Sequence, residues 1–555
     1  MSNSRIISRL SIAACALSTG LGGIASAQTP PNAGSLLHEQ APSQAIPPKG
    51  TAILPQASEP AGLSADTTSI EVKRLRVTGS TVYSAEVLEA LVADVAGSTR
   101  TLRDLQLAAR RITRHYREAG YTLARAYLPQ QKMQDGVVTI DVLEGKLEKV
   151  QIDNASRLSD EAVKARLSRL EAGSVLQSSS ADRALLLLSD TPGVGPVDSR
   201  LAPGSKRGES VLVTKLAEAP LFAGRIDADN HGGLYTGRYR LGVSGDLNSP
   251  LGYGERFSAR IQGSDDELLN GRLAALLPVG IDGVTLGASV AHTTYSLGDS
   301  FESLDAVGRS TTAELNVRYP WVRSTNFNLY TQAAYEYRKL RDEIRSTDTV
   351  TEKHAKVGTL SVSADMRDDL GGGGLTQASL AVSSGRLTFD SASAAALDAA
   401  GARTAGGYSK VAYGVERLQA LPAGFSLNLQ WRGQWTNDNL DSSEKFSLGG
   451  PYGVRAYATA EAMGDRGWLG SVELRYAVTS WLVASVFHDH GAVTVNAHSY
   501  LDSSNSMHRK GSGLGLTGNY SDFDWRAYVA WRDGEEGAAE PDKTPRFWLQ
   551  AGWRF

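Results

Sequence analysis

From residue 221 to Phe555, apolar and polar residues alternate with a period of two in one segment after another. In FSLNLQWRGQW, Phe425, Leu427, Leu429, Trp431 and Trp435 alternate with Ser426, Asn428, Gln430, Arg432 and Gln434. DWRAYVAWRD sets Trp525, Ala527, Val529 and Trp531 against Asp524, Arg526, Tyr528 and Arg532, and RFWLQAGWRF carries the pattern to the last residue. Successive side chains of a strand point to opposite faces, so each segment is a strand with one apolar and one polar face. About sixteen strands of near ten residues are expected across 221–555, with no helix among them. A soluble sheet with one wet face fits this alternation, and so does a membrane barrel with lipid outside and water inside. Strand length favours the barrel, because about ten residues cross a bilayer. Short turns such as 421–424 also alternate with long loops such as 390–406, and aromatics gather near strand ends. No stretch has about 18 consecutive apolar residues, so entry into a membrane requires a barrel.

The N-terminal part is organised differently. Arg5 and Arg9 precede a small, apolar run, and Ala25-Ser26-Ala27 forms an A-x-A cleavage site, so residues 1–27 read as a secretory signal peptide. Cys15 is the one cysteine and leaves with that signal, so the mature chain has no disulfide and no thiolate ligand. Residues 28–68 hold a short helix candidate at Ala33–Gln40, followed by a linker with five prolines between Ala41 and Thr68. Order is expected from Ser69. Residues 69–145 read as β-α-α-β-β, and 146–220 repeat that order more loosely. In the longer helix of the first module, Leu102, Leu105, Ala109, Ile112 and Tyr116 fall on one stripe. In the second, Ser159 and Ser180 are the expected helix N-caps.

The chain is poor in catalytic signatures. It has no G-x-S-x-G, no H-E-x-x-H and no Walker loop, and the expectation is a non-enzyme without cofactor or metal. Gly371–Gly374 follows a strand and precedes another, so a hairpin turn is expected there rather than a phosphate loop. His488, His490, His498 and His508 cluster in sequence, but a metal site needs them to converge, and a titratable rim is the simpler reading. Arg103, Arg110, Arg114 and Arg117 lie on one flank of a helix; a solvated face and a basic patch for an acidic partner or lipid headgroups both fit. A net charge of −3 gives no general field for nucleic acid, and none is expected as a partner.

The stretch GGPYGVRAYATAEAMGDRG, residues 449–467, is too long and glycine-rich for a connector. Val454 and Tyr457 flank Arg455 with apolar surface, so the tip suits a wet lumen in which the arginine meets a carboxylate. WLVASVFHDHG offers one. Its alternation places Leu482, Ala484, Val486 and His488 on one face and Ser485, Phe487, Asp489 and Gly491 on the other. With the apolar set toward lipid, Asp489 faces the lumen, and an Arg455–Asp489 tether is expected.

These motifs resemble a known family. GGPYGVRAY…GDRGWLGSVELRY is similar to the VRG(Y/F) loop of two-partner secretion outer-membrane transporters, the haemolysin activation/secretion family of the POTRA-plus-barrel superfamily. FHDHG looks like the superfamily's F-x-D-x-G strand, residues 115–152 resemble its first POTRA domain, and residues 229–258 its first barrel hairpins. The resemblance implies a mainly β protein in the Gram-negative outer membrane. A plug helix and linker would precede two periplasmic POTRA domains (69–145 and 146–220), followed by a 16-stranded antiparallel barrel (221–555) with loop 438–467 folded into the lumen. It implies a loop-tip motif Val454, Arg455, Ala456 and Tyr457, a wall motif Phe487, Asp489 and Gly491, and a pairing of Arg455 with Asp489. It also implies POTRA capture of an unfolded adhesin- or haemolysin-like exoprotein and its translocation without ATP. The barrel assembly machinery would read the terminal QAGWRF, and outer-membrane lipid would surround the wall. Two departures stand out. Ala456 replaces a motif glycine, which leaves the tip's backbone angles open. Ala33–Gln40 spans only about 12 Å at 1.5 Å per residue, which counts against a pore-filling plug. The alternative within the superfamily is a general membrane-protein insertase, and outside it a diffusion porin.

Overall fold

A computed structural model describes residues 30–40, 69–132, 135–500, 504–534 and 544–555. The signal peptide expected at 1–27 and the proline-rich linker at 41–68 lie outside the described residues.

Sixteen antiparallel strands close on themselves, running from Phe222–Asp229 to Arg546–Arg554, with the last strand paired to the first. Closure leaves no free edge strand, so neighbouring strands satisfy one another's N–H and C=O groups without water. The alternation read from the sequence holds: in Phe425–Thr436, Phe425, Leu429, Trp431 and Trp435 face out, while Asn428 and Gln434 are buried on the inner face. Strand length departs from the expected ten. The sixth to ninth strands run Ala306–Arg323, Phe327–Ile344, Thr349–Asp368 and Gly374–Phe389, 16 to 20 residues each. Their outer ends carry charged residues beyond the apolar band, so the strand continues past what a membrane needs. The expectation of no helix after residue 221 is also corrected. Ala392–Ala400 is helical within the loop at 390–405, its first turn capped by the Ser391 side chain, which accepts from Ala394 N at 3.2 Å. The run ASAAALDAA has strong helix propensity and little periodicity, which hid it.

Two small α+β units precede the barrel. In the first, strand Arg74–Thr78 lies parallel to Val137–Leu143, which pairs antiparallel with Arg125–Tyr127. Helices α1 (Ala85–Ala90) and α2 (Leu102–Glu118) pack on this sheet, α2 through Leu105, Ala109, Ile112 and Tyr116. Leu102 is only half-buried, and Ala108 takes part in the stripe instead. The second unit orders its sheet Lys146–Asn154, Glu209–Glu218, Val194–Pro203, with helices α3 (Asp160–Leu167) and α4 (Ser178–Ser189). Ser159 caps α3 as expected, accepting from Ala162 N at 3.2 Å. Ser180 is not a cap: α4 begins two residues earlier, after Gln177, because the three serines 178–180 all enter the first turn.

The second unit is bolted to the barrel. Arg323 at the end of the sixth strand forks onto Asp190, Nε to Oδ2 at 2.6 Å and Nη2 to Oδ1 at 2.9 Å. Arg183 of α4 donates to Pro320 O at 2.7 Å, Arg166 to Tyr253 O at 2.8 Å, and Ser159 N to Gly252 O at 3.0 Å. All of these barrel positions are at the short-turn end, which includes the turn at Leu370–Gly372 that the sequence read as a hairpin.

Candidate functional site

The loop at 437–465, between the eleventh and twelfth strands, folds into the far half of the lumen. Its stem is the two-residue hairpin Phe446–Ser447 with Met463–Gly464. Beyond the stem the chain doubles back tightly: Val454 N donates to Leu448 O at 2.7 Å and Gly450 N to Tyr457 O at 3.1 Å. Leu448, Val454, Ala456, Tyr457 and Ala462 then pack against wall residues Leu469, Phe487, Val493 and Ala530. This is an apolar core inside the barrel, on an inner face that also carries polar residues such as Asn428 and Gln434.

Arg455 projects from that core into the wall. Its Nε donates to Asp489 Oδ2 and its Nη2 to Asp489 Oδ1, both at 2.8 Å, and its backbone N adds 3.1 Å to Oδ2. Nη1 donates to Glu473 Oε2 at 2.8 Å, and Nη2 also reaches Ser471 Oγ at 3.2 Å. Phe487 stacks beneath the guanidinium, ring centroid 3.3 Å from Cζ, and Trp548 Nε1 donates to Arg455 O at 2.7 Å. Arg455, Glu473 and Asp489 are 6, 6 and 0% exposed. Burial of ions is costly and is offset only when every donor and acceptor is used. Here Arg475 supplies the last charge, Nε to Glu473 Oε1 at 3.0 Å, so two cations meet two anions.

The expected pairing of Arg455 with Asp489 is therefore present in the geometry, and Val454 and Tyr457 are buried beside it. Tyr457 lies between Arg509 and Arg532, whose guanidinium carbons are 5.0 and 5.4 Å from its ring. The wall glycine Gly491 leaves space for Leu448, since a Cβ there would stand 2.6 Å from Leu448 Cδ2. Ala456 keeps a negative φ, so its position does not require glycine. Room for its methyl comes from Gly511, where a Cβ would lie 2.5 Å from the Ala456 Cβ. Glu473, Ser471 and Trp548 were missed. Glu473 alternates inward with Ser471 and Arg475 along Arg466–Ala477, and Ser471 lies opposite Asp489, so pairing the two strands in register reveals it.

The segment Ser35–Gln40 is a short 3-10 helix, and it sits within the barrel despite its length. Ala33 and Leu36 bury against Tyr235, Tyr295, Leu297 and Leu340, and Ala33 N donates to Asp342 Oδ1 at 2.7 Å. His38 Nε2 bonds Ser442 O at 3.0 Å, and Ser442 Oγ donates to Asn32 Oδ1 at 2.7 Å. A second charge cluster roots the loop beside it: Lys353 pairs with Asp441, and Lys410 and Arg338 meet Glu444 at 2.7 and 2.9 Å. The segment is thus held among lumen residues although, at about 12 Å, it is shorter than the membrane band.

The remaining candidates stand apart from this site. His488 faces outward and bonds Ser512 Oγ at 2.9 Å, and no group of three or more His, Cys, Asp or Glu able to hold a metal occurs among the described residues. On α2, Arg110, Arg114 and Arg117 line a groove of about 780 Å³ together with Leu107 and Asp94, and Arg103 is not among its lining residues.

Residues 208–518 match the family described as haemolysin secretion/activation protein ShlB/FhaC/HecB, and residues 70–145 match the ShlB-type POTRA domain. The chain is 29% identical over 437 residues to the heme/hemopexin transporter protein HuxB of Haemophilus influenzae strain 86-028NP, covering 77% of each chain. It is 27% identical over 238 residues to the outer membrane transporter CdiB of Escherichia coli O6:K15:H31, covering 43% of this chain and 40% of that one. The solved structure of CdiB from Escherichia coli shares the fold, with a TM-score of 0.73 at 18% identity over 90% of this chain and 93% of the other.

Proposed function

From the premise that this chain belongs to the haemolysin secretion/activation protein family ShlB/FhaC/HecB, we propose how it carries a protein out of the cell. It is a Gram-negative outer-membrane transporter of a two-partner secretion system, with its POTRA domains in the periplasm and a secreted exoprotein as partner. The exoprotein arrives unfolded and adds as a strand to an open sheet edge, Arg74–Thr78 or Arg125–Tyr127 in the first domain. The basic groove along α2 lies beside this sheet and suits an acidic stretch of the same client. Folding on the cell surface, rather than nucleotide hydrolysis, pulls the chain through. The cargo is an adhesin, a haemolysin or a contact-dependent toxin, and the name of HuxB adds a haem- or haemopexin-binding protein to that class. The barrel assembly machinery inserts the protein by reading its C-terminal aromatic strand.

The observation that carries the gating part of this reading is the loop held in the lumen by Arg455, Asp489 and Glu473. Charge pairs and small apolar contacts release without backbone unpairing, so the loop can leave while the wall stays whole. Arg455→Ala is expected to leave barrel assembly intact and to lower secretion of the partner; unchanged secretion removes the tether from the mechanism. Depletion distinguishes the insertase alternative, which predicts general loss of outer-membrane proteins rather than loss of one secreted protein.

A further inference from the structure

The long sixth to ninth strands carry a feature that transport does not use. On the outer face, Tyr335 and Tyr337 mark the upper edge of the apolar band, above Leu315, Leu360 and Leu380. From the level of Tyr337 to four residues further out, the same face presents Lys356, Arg386, Lys339 and Arg309. The register brings them together: Lys356 lies opposite both Tyr337 and Arg386, and Arg309 lies opposite Arg341. Each of the four is exposed, and none has an ion pair or hydrogen bond from its side chain among the described residues. Arg341 in the same row is neutralised, by Glu352 at 2.6 Å and Glu343 at 3.1 Å. The second to fourth strands, 9 to 11 residues long, show only apolar side chains at their outward positions, such as Leu241, Val243, Ile261, Leu269 and Leu273.

Position decides what such a row meets. A strand rises about 3.3 Å per residue, so these cations stand between the level of Tyr337 and about 13 Å beyond it, measured along the strand. That is the headgroup level of the outer leaflet, where a Gram-negative outer membrane displays phosphorylated glycolipid. A surface serving solubility alone mixes both signs of charge. Four exposed cations over an aromatic girdle, with the Glu352 carboxylate near Arg309 and Lys339 and none paired with Lys356 or Arg386 among the described residues, match clustered phosphates above acyl chains, with the ammonium and guanidinium groups suited to phosphate oxygens. We propose that Arg309, Lys339, Lys356 and Arg386 form a binding site for the phosphates of an outer-leaflet glycolipid of the lipid A type, which anchors this sector of the wall.

The test uses the full chain in detergent, with bis-phosphorylated lipid A and its dephosphorylated form as probes, read by native mass spectrometry. The protein is expected to hold the phosphorylated form, and substitution of all four residues by glutamine is expected to weaken that binding by about tenfold or more. Dephosphorylated lipid A should bind both proteins equally weakly, inorganic phosphate alone should not be retained, and Lys510→Gln, on another sector of the outer face, should change nothing. Equal binding of phosphorylated lipid A by the wild type and the variant overturns the proposal. So does equal binding of the two lipids by the wild type, retention of free phosphate alone, or an equal loss in Lys510→Gln. Heat-modifiable gel mobility reports the folded barrel, and Lys356→Gln with Arg386→Gln gives the reading if the fourfold variant does not fold. A variant that secretes poorly yet binds lipid A normally assigns the row to a protein partner and likewise overturns it.

Discussion

Replacing Arg455 by alanine should free the lumen loop by an amount that can be worked from its contacts. The guanidinium makes four side-chain hydrogen bonds, three of them to buried carboxylates, and stacks on Phe487. Glu473 keeps Arg475 as a partner, so the stranded group is Asp489, left with Ser471 Oγ at 2.7 Å as its side-chain donor. Removing one member of a buried pair costs about 3–5 kcal/mol, chiefly the penalty of the charge left behind. At about 1.4 kcal/mol per factor of ten, the open fraction of the loop rises by roughly a hundredfold to a few thousandfold. Amide hydrogen exchange across 448–463, with the amides of the neighbouring strands as internal controls, measures this directly. Removing Asp489 together with Arg455 eliminates the stranded charge, so the double alanine variant should exchange more slowly than the single. Exchange in Arg455→Ala within about threefold of the wild type would refute the reasoning, because it would mean that the apolar contacts of Tyr457 and Val454 alone hold the loop.

Three further outcomes follow from other parts of the chain. Glu144 in the first POTRA domain accepts from Thr81 N at 2.7 Å, from Val82 N and Tyr116 OH at 2.8 Å, and from the Thr81 hydroxyl. Burial pushes its pKa up, but these donors outweigh burial and the net position is below the usual carboxylate range. Its stabilisation is therefore present above the unfolded value, about 4.3, and is lost as pH falls through the lower folded value. Glu144→Gln should cost about 1–3 kcal/mol at pH 7, seen as faster exchange in α2, and the difference from the wild type should close in acid. Gly511→Ala should crowd the Ala456 methyl and the Trp531 carbonyl and lower the denaturant midpoint by an equivalent of about 1–3 kcal/mol, with Ala456→Gly restoring the part due to the methyl; no restoration refutes the proposed fit. Arg323→Ala removes the fork onto Asp190, so spin-label distances between α4 and the turn at 280–283 should broaden, and an unchanged distribution would show that Arg183 and Arg166 suffice.

The barrel was legible because its physics is local: a strand between lipid and water must alternate, and it does so without knowledge of its neighbours. The same alternation placed Asp489 inward, and the glycines around Arg455 marked a loop with somewhere to fold. What stayed hidden depends on register and on lateral neighbours. Glu473 is unremarkable until the twelfth strand is set beside the thirteenth, and Gly511 explains Ala456 only when the fourteenth is added. The short helix at Ala392–Ala400 escaped because small, uniform residues carry no period. The seat of Ser35–Gln40 escaped because its partners, Asp342 and Ser442, are more than 300 residues away in the chain.

The wall is not equally joined all round. Where the sixteenth strand meets the first, six residue pairs are in register, Gly224 with Phe555 through Asp229 with Gln550, and the Asn230 side chain clasps the Phe547 and Leu549 backbone just above them. Between the seventh and eighth strands, all 18 residues of Phe327–Ile344 are paired. A hoop under outward load parts at its thinnest weld, and here that weld lies beside Trp548, which also holds the Arg455 carbonyl. Strain from a bulky passenger would thus reach the joint and the latch together, as it does in a hinged collar whose catch sits on its seam.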